Sequence, residues 1–180
     1  MDKTQLTDLL TSAVSQVVAT AQEASSEHFF ARPDQDVWSA AENVQHLIQS
    51  VQPVAYLMTK PKEYLVEKWG TVNWPLRAYA EVVKKYEAVL EQGLKATGNF
   101  IPVIDTNPDK AVVVAQFQQS NAQLLNIMNN QWTEQELDTY IIPHPVMGKM
   151  SVREMLYFTA FHTSHHHKSM QQRLAAVSQE

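Results

Sequence analysis

The sequence predicts an all-α protein: a four-helix bundle with an additional helix inserted between bundle helices two and three. Three observations predict it. Apolar residues recur at three- and four-residue spacing over several long stretches, the period of one helix face. Serine followed three places later by glutamate, the reciprocal cap of a helix start, stands at Ser39 with Glu42 and at Ser151 with Glu154. The 180 residues include only four glycines and eight prolines, too few for a turn-rich β architecture.

Taken in order, the first helix is expected over about residues 5–24, capped by Thr4. Leu6, Leu9, Leu10, Ala13, Val14, Val17 and Val18 make its apolar stripe. The run Ser25-Ser26-Glu27-His28 ends it, and Phe29, Phe30 and Pro33 form an extended connection. The second helix opens at Trp38-Ser39-Ala40-Ala41-Glu42 and reaches Met58. Val44, Leu47, Ile48 and Val51 point inward, and Pro53 predicts a kink near residues 50–52. Residues 59–75 read as a connection. A third helix is expected over about 76–96, with Pro75 at its first position and Gly98 as its stop. Phe100-Ile101-Pro102-Val103-Ile104 reads as extended chain packed across the bundle. Pro108-Asp109 opens the next helix, to about Asn130, and Thr133 to Glu136 caps a single turn. Residues 140–148 carry two prolines and a glycine and are expected to be a loop. The last helix runs from the Ser151 cap to about Val177. No linker or repeat divides the chain, so one domain is expected over residues 1–180.

Composition narrows the chemistry. There is no cysteine, which excludes disulfides, a thiolate nucleophile and a cysteine-based zinc site. A formal net charge of -5 gives no basic footprint for nucleic acid. No stretch approaches the 18 consecutive apolar residues of a membrane span. The N-terminal residues lack the basic and apolar regions of a signal peptide, so a cytoplasmic location is expected.

Four of the seven histidines lie in the segment His162-Thr163-Ser164-His165-His166-His167. Inside a helix, His162 and His166 stand one turn apart on one face and can grip one metal ion. His165 points about 100° away from His166. The same spacing also suits a solvated face or a pair of hydrogen-bonded core histidines. The glutamate base of an HExxH motif is missing, because Thr163 follows His162. His46 is the candidate third ligand. It lies about 160° from the apolar stripe of its helix, which by periodicity alone places it at the surface. His28 and His144, in connections, are further candidates. Glu42, one turn before His46, could orient that ring, but the cap at Ser39 already accounts for it.

Together these pieces resemble the DinB/YfiT-like superfamily of small metal-binding helical proteins. The resemblance is carried by Trp38-Ser39 followed by His46-Leu47, by the loop His144-Pro145-Val146-Met147-Gly148, and by His162-Thr163-Ser164-His165-His166. Residues 86–102 are similar to a segment that some members carry between helices two and three. The resemblance implies an up-down-down-up bundle with three metal-binding histidines in a side groove, at the positions of His46, His162 and His166. It implies a divalent metal, zinc or nickel foremost, with iron or manganese as further options, and a homodimer. Some relatives are implicated in transfer to a low-molecular-weight thiol such as bacillithiol or mycothiol, and others are labelled metal-dependent hydrolases. Two functions are therefore expected to compete. One is a metal-dependent transferase or hydrolase acting on a small molecule, with no catalytic acid or base identified. The other is a non-catalytic, stress-associated metal-binding or interaction module.

Overall fold

The computed structural model describes residues 1–105 and 108–179, and it is mostly helical. Four long helices carry the fold: α1 (Lys3–Glu23), α3 (Ala40–Met58), α6 (Lys110–Gln131) and α8 (Val152–Val177). Shorter helices connect them: α2 (Ser26–Phe30), α4 (Lys62–Trp69), α5 (Tyr79–Glu91) and α7 (Glu134–Thr139). A hairpin of β1 (Ile141–His144) and β2 (Gly148–Ser151) precedes α8.

The pairing of the long helices follows from their contacts. Helix α3 packs on α6 and α8, and α1 packs on α8 and α6. Directions follow from side chains that tie the ends together. Lys3, at the start of α1, donates to the carbonyls of Asn129 and Trp132 at the end of α6 (3.0 and 2.7 Å). Arg153, at the start of α8, donates to the Met1 carbonyl (2.9 Å). Thr20 Oγ1, near the end of α1, meets His167 Nε2 on α8 (2.8 Å). Trp132 Nε1 donates to the Met58 carbonyl at the end of α3 (3.0 Å). Hence α1 and α8 run one way and α3 and α6 the other, which is the up-down-down-up order.

The reciprocal caps at Ser39/Glu42 and Ser151/Glu154 form as expected. Other details differ. Asp2, not Thr4, caps α1: its Oδ1 accepts from Gln5 N–H (2.8 Å) while the Gln5 side chain accepts from Asp2 N–H (3.0 Å). Ser25 does not merely end α1; it caps the new turn α2. The expected connection over 59–75 contains α4. Only Leu65 of that helix is buried, so it has no apolar stripe wide enough to show a period. Helix α5 starts at Tyr79 and stops at Glu91, because Gly93 takes φ 79 and ends the helix five residues before Gly98. The expected loop at 140–148 is largely a two-stranded hairpin in which His144 pairs with Gly148. Pro143 is tolerated there because a two-stranded ribbon has open edges that require no N–H.

Two groups of buried apolar side chains fill the bundle. One gathers Val17, Phe29, Leu47, Phe117 and Met170, and the other Leu10, Met58, Leu124, Met128 and Leu156. No helix among the described residues is long and apolar enough to cross a membrane.

Candidate metal centre

His46, His162 and His166 converge. They stand on antiparallel α3 and α8, and one nitrogen from each ring lies within 4.8 Å of the other two. The Nε2 atoms of His46 and His162 are 3.2 Å apart. Two nitrogens each about 2.05 Å from one tetrahedral ion would lie about 3.3 Å apart, so this pair already has a metal-ligand separation. All three rings are buried, with exposures of 6, 5 and 9%.

Two of the rings are held in the tautomer that a metal needs. The Nδ1–H of His46 donates to the Phe100 carbonyl (2.7 Å), which leaves the Nε2 lone pair free. The His166 Nδ1 meets Asn43 Oδ1 at 2.8 Å. Asn43 donates through Nδ2 to the Ser39 carbonyl (2.8 Å), so its Oδ1 is the acceptor and His166 Nδ1 carries the proton. Nε2 of His166 is free as well. Aromatic rings fix the imidazoles from outside: Phe158 stacks on His162 (5.0 Å, 21°) and Trp38 on His166 (6.2 Å, 24°).

Burial pushes all three imidazoles toward the neutral form. His162 and His166 lie well below the ordinary histidine range, first through desolvation and then through the neighbouring rings. His46 is lowered by desolvation, partly offset by its bond to Phe100. Neutral imidazoles are the form in which histidine ligates.

A cavity of about 670 Å³ opens onto the three rings. Its walls come from α3, α5, α8, the hairpin and the chain after α5, and are mainly apolar: Val54, Leu57, Leu90, Leu94, Met155 and Phe158 among others. Tyr86 of α5 lies edge-on to His162 (5.9 Å), and desolvation raises its phenol to about 12, so it stays protonated.

The hairpin contributes His144. Its Nδ1 receives the backbone N–H groups of Val146 (3.2 Å) and Met147 (3.1 Å). An N–H can only donate, so Nδ1 is an acceptor and the proton sits on Nε2. Burial, with Lys85 nearby, lowers this ring to about 4. His144 is thus a neutral donor in the cavity wall.

The other sequence candidates fall elsewhere. His165 lines the cavity but is not one of the three converging histidines. His28 lies beside Ser178 (3.3 Å), and His167 is bonded to Thr20. Glu42 does not orient His46; it caps Ser39 and pairs with Arg32. His46 is buried, not at the surface as periodicity placed it. The face of α3 opposite its apolar stripe is covered by the turn Gly98–Phe100 and by α8. Sequence reasoning missed Asn43, Tyr86 and the Phe100 carbonyl. Asn43 was discoverable, since it stands three residues before His46 near a capped helix start.

The fold and this geometry define a four-helix bundle carrying a buried three-histidine cluster beside an open cavity. The family comparison agrees: the DinB superfamily model matches residues 9–170, and the chain belongs to that superfamily. Among solved structures, it is similar to a conserved protein from Enterococcus faecalis (TM-score 0.63, 12% identity, covering 100% of this chain and 99% of that one). It is also similar to YfiT from Bacillus subtilis, described as a probable metal-dependent hydrolase with an unusual four-helix bundle topology (TM-score 0.61, 12% identity, 98% and 87% covered). A third is TT2238, described as a four-helix bundle protein (TM-score 0.59, 15% identity, 94% and 98% covered). No curated protein sequence matches the chain.

Proposed function

We propose that the chain is a divalent-metal enzyme acting on a small molecule, with His46, His162 and His166 as ligands. The observation that carries this reading is a three-imidazole cluster lying in the wall of a cavity. Three protein ligands that leave a position open toward a cavity are the pattern of a catalytic rather than a closed structural site. Zinc or nickel suits an all-imidazole donor set, and iron or manganese is the weaker choice. A divalent ion there supplies Lewis acidity and lowers the pKa of a bound water or thiol.

The chain's own residues do the rest. Phe100 and Asn43 hold two imidazoles in their ligating tautomers. The apolar walls exclude water from the reacting group. His144 offers its Nε2–H to an oxygen of the substrate, and Tyr86 keeps its phenolic proton as a second donor. Neither offers a strong base at neutral pH: the His144 ring is only weakly basic and its Nδ1 already accepts two backbone N–H groups, while Tyr86 keeps its proton. A divalent ion held by His46, His162 and His166 would supply the activation of a water or of a thiol cosubstrate, which fits a hydrolase or a thiol transferase. YfiT's description favours hydrolysis. The absence of cysteine is compatible with a thiol brought in by a cosubstrate.

Elemental analysis of tag-free protein should find about one metal per chain, lost in His46→Ala and His166→Ala. The loaded protein, assayed on esters, amides and electrophiles with a panel of thiols, should turn over one class, and His162→Ala should abolish it. Stoichiometric metal without turnover on any of these would favour the alternative, a non-catalytic metal-binding module.

A further inference from the structure

Arg173 stands apart from the chain's other arginines. Arg32 pairs with Glu42, Arg77 with Glu154, and Arg153 with Glu134 and Asp138. Among the described residues Arg173 has no carboxylate within ion-pair distance, and its buried Nε has no acceptor. It is also in the wall of the cavity that holds the histidines. It stands on α8 seven residues beyond His166, two turns or about 10.5 Å along the same face. Lys95 lines the cavity too, again with no carboxylate in ion-pair range among the described residues. Asp36 is the one acidic residue of the lining, and it pairs with neither. A buried donor on a cation without an acceptor is costly. The side chain that carries it belongs to the lining of the cavity that holds the histidines.

We propose that Arg173 is an anion subsite, and that the substrate is a carboxylate whose reacting group lies about 10 Å away at the three histidines. This deepens the reading of those histidines as the reaction centre and rests on it. A carboxylate fits better than a phosphate monoester dianion. One guanidinium matches a planar carboxylate with two parallel hydrogen bonds. A dianion would have to draw in Lys95 as well, whereas a carboxylate is matched by Arg173 alone. Apolar residues of the same cavity, including Trp38, Leu90 and Leu94, suit an apolar or aromatic linker.

The test reads Arg173 directly and needs no turnover. The chain has four arginines, so its Nε–H groups give four NMR signals, and Arg173→Lys identifies the one lost. Metal-free protein is titrated with hexanoate, hexan-1-ol and hexyl phosphate. Hexanoate should shift the Arg173 signal saturably, hexan-1-ol should leave it in place, and hexyl phosphate should bind more weakly than hexanoate. Arg173→Gln should weaken hexanoate about tenfold or more and leave hexan-1-ol unchanged. Arg173→Lys should lose less, and both variants should unfold at the wild-type temperature. Equal binding of hexanoate and hexan-1-ol, or an Arg173→Gln protein that binds hexanoate as wild type does, overturns the subsite. Tighter binding of hexyl phosphate overturns the choice of carboxylate. The metal end is read separately, by the thiolate-to-cobalt band of the cobalt-loaded protein with 6-mercaptohexanoate. Loss of that band beside an intact Arg173 response refutes the reaction-centre reading and leaves the subsite standing.

Discussion

Asn43→Leu isolates what the protein does for its ligands. Asn43 is 3% exposed, so no water can take over its bond to His166. Its Oδ1 sits 2.8 Å from His166 Nδ1 and selects one ring orientation and one tautomer. Without it, two ring flips and two tautomers give four states, of which one presents the Nε2 lone pair to the ion. That costs about fourfold in affinity. Loss of the acceptor also makes the ring a poorer donor to the metal, so the total should fall in the 10–100-fold range, or about 1.4–2.7 kcal/mol. Asn43→Asp is the control: it keeps the acceptor, makes it anionic, and should hold affinity at or above wild type. Chelator-competition titrations give the affinities, and circular dichroism with thermal unfolding checks the fold. A well-folded Asn43→Leu protein within threefold of wild-type affinity would refute the argument that the Asn43 bond sets the ligand.

Three other perturbations test the scaffold. Glu154 is 1% exposed and holds both Arg77 (2.7 Å) and the Ser151 cap, so Glu154→Gln should cost about 3–5 kcal/mol in urea unfolding, whereas a loss below 1 would make the pair incidental. Phe117→Ala, in the fully buried apolar group between α3 and α6, should cost about 3–5 kcal/mol by the same measurement. His144 has a folded pKa of about 4, below its unfolded value, so the unfolded chain binds the extra proton as pH drops. Its contribution to stability is complete above about pH 6.5 and is lost between there and about pH 4, up to roughly 3 kcal/mol. His144→Gln should flatten that part of the pH–stability curve, and an unchanged slope would refute the burial argument.

Much of this was legible in the sequence, for identifiable reasons. Local chemistry reported the caps at Ser39 and Ser151 and the start of α8, because a reciprocal cap is a bond between residues three apart. His162 and His166 were legible because one turn of one helix relates them. His46 was not placed correctly by periodicity, since its burial is produced by Phe100 and His162, 54 and 116 residues away. Only the resemblance to relatives brought it to the site. Helix α4 buries one side chain and so left no period to read. The hairpin was hidden by Pro143 and Pro145, which on a central strand would forbid pairing but not on a two-stranded ribbon. The tautomer of His144 depends on where two backbone N–H groups point, and residue types do not encode that.

The histidines also predict how protons move when metal binds. His46 and His166 already present Nε2 lone pairs. Because His46 Nε2 accepts, the 3.2 Å contact without metal requires that His162 Nε2 donates. His162 is then the one ligand that must move its proton, from Nε2 to Nδ1, before it can ligate. That is a tautomer shift within a neutral ring and releases nothing. Burial holds His162 and His166 well below the ordinary histidine range and lowers His46 as well, so the three together should carry fewer protons at pH 6 than ordinary histidines. Three ordinary histidines with pKa near 6.5 would release about two protons there on binding a metal. Calorimetric titration of zinc at pH 6, in buffers of different ionisation enthalpy, counts the protons. Clearly fewer than two protons are expected. Release of about two at pH 6, falling with increasing pH, would show the rings to be ordinary solvated histidines and would refute the preset neutral site.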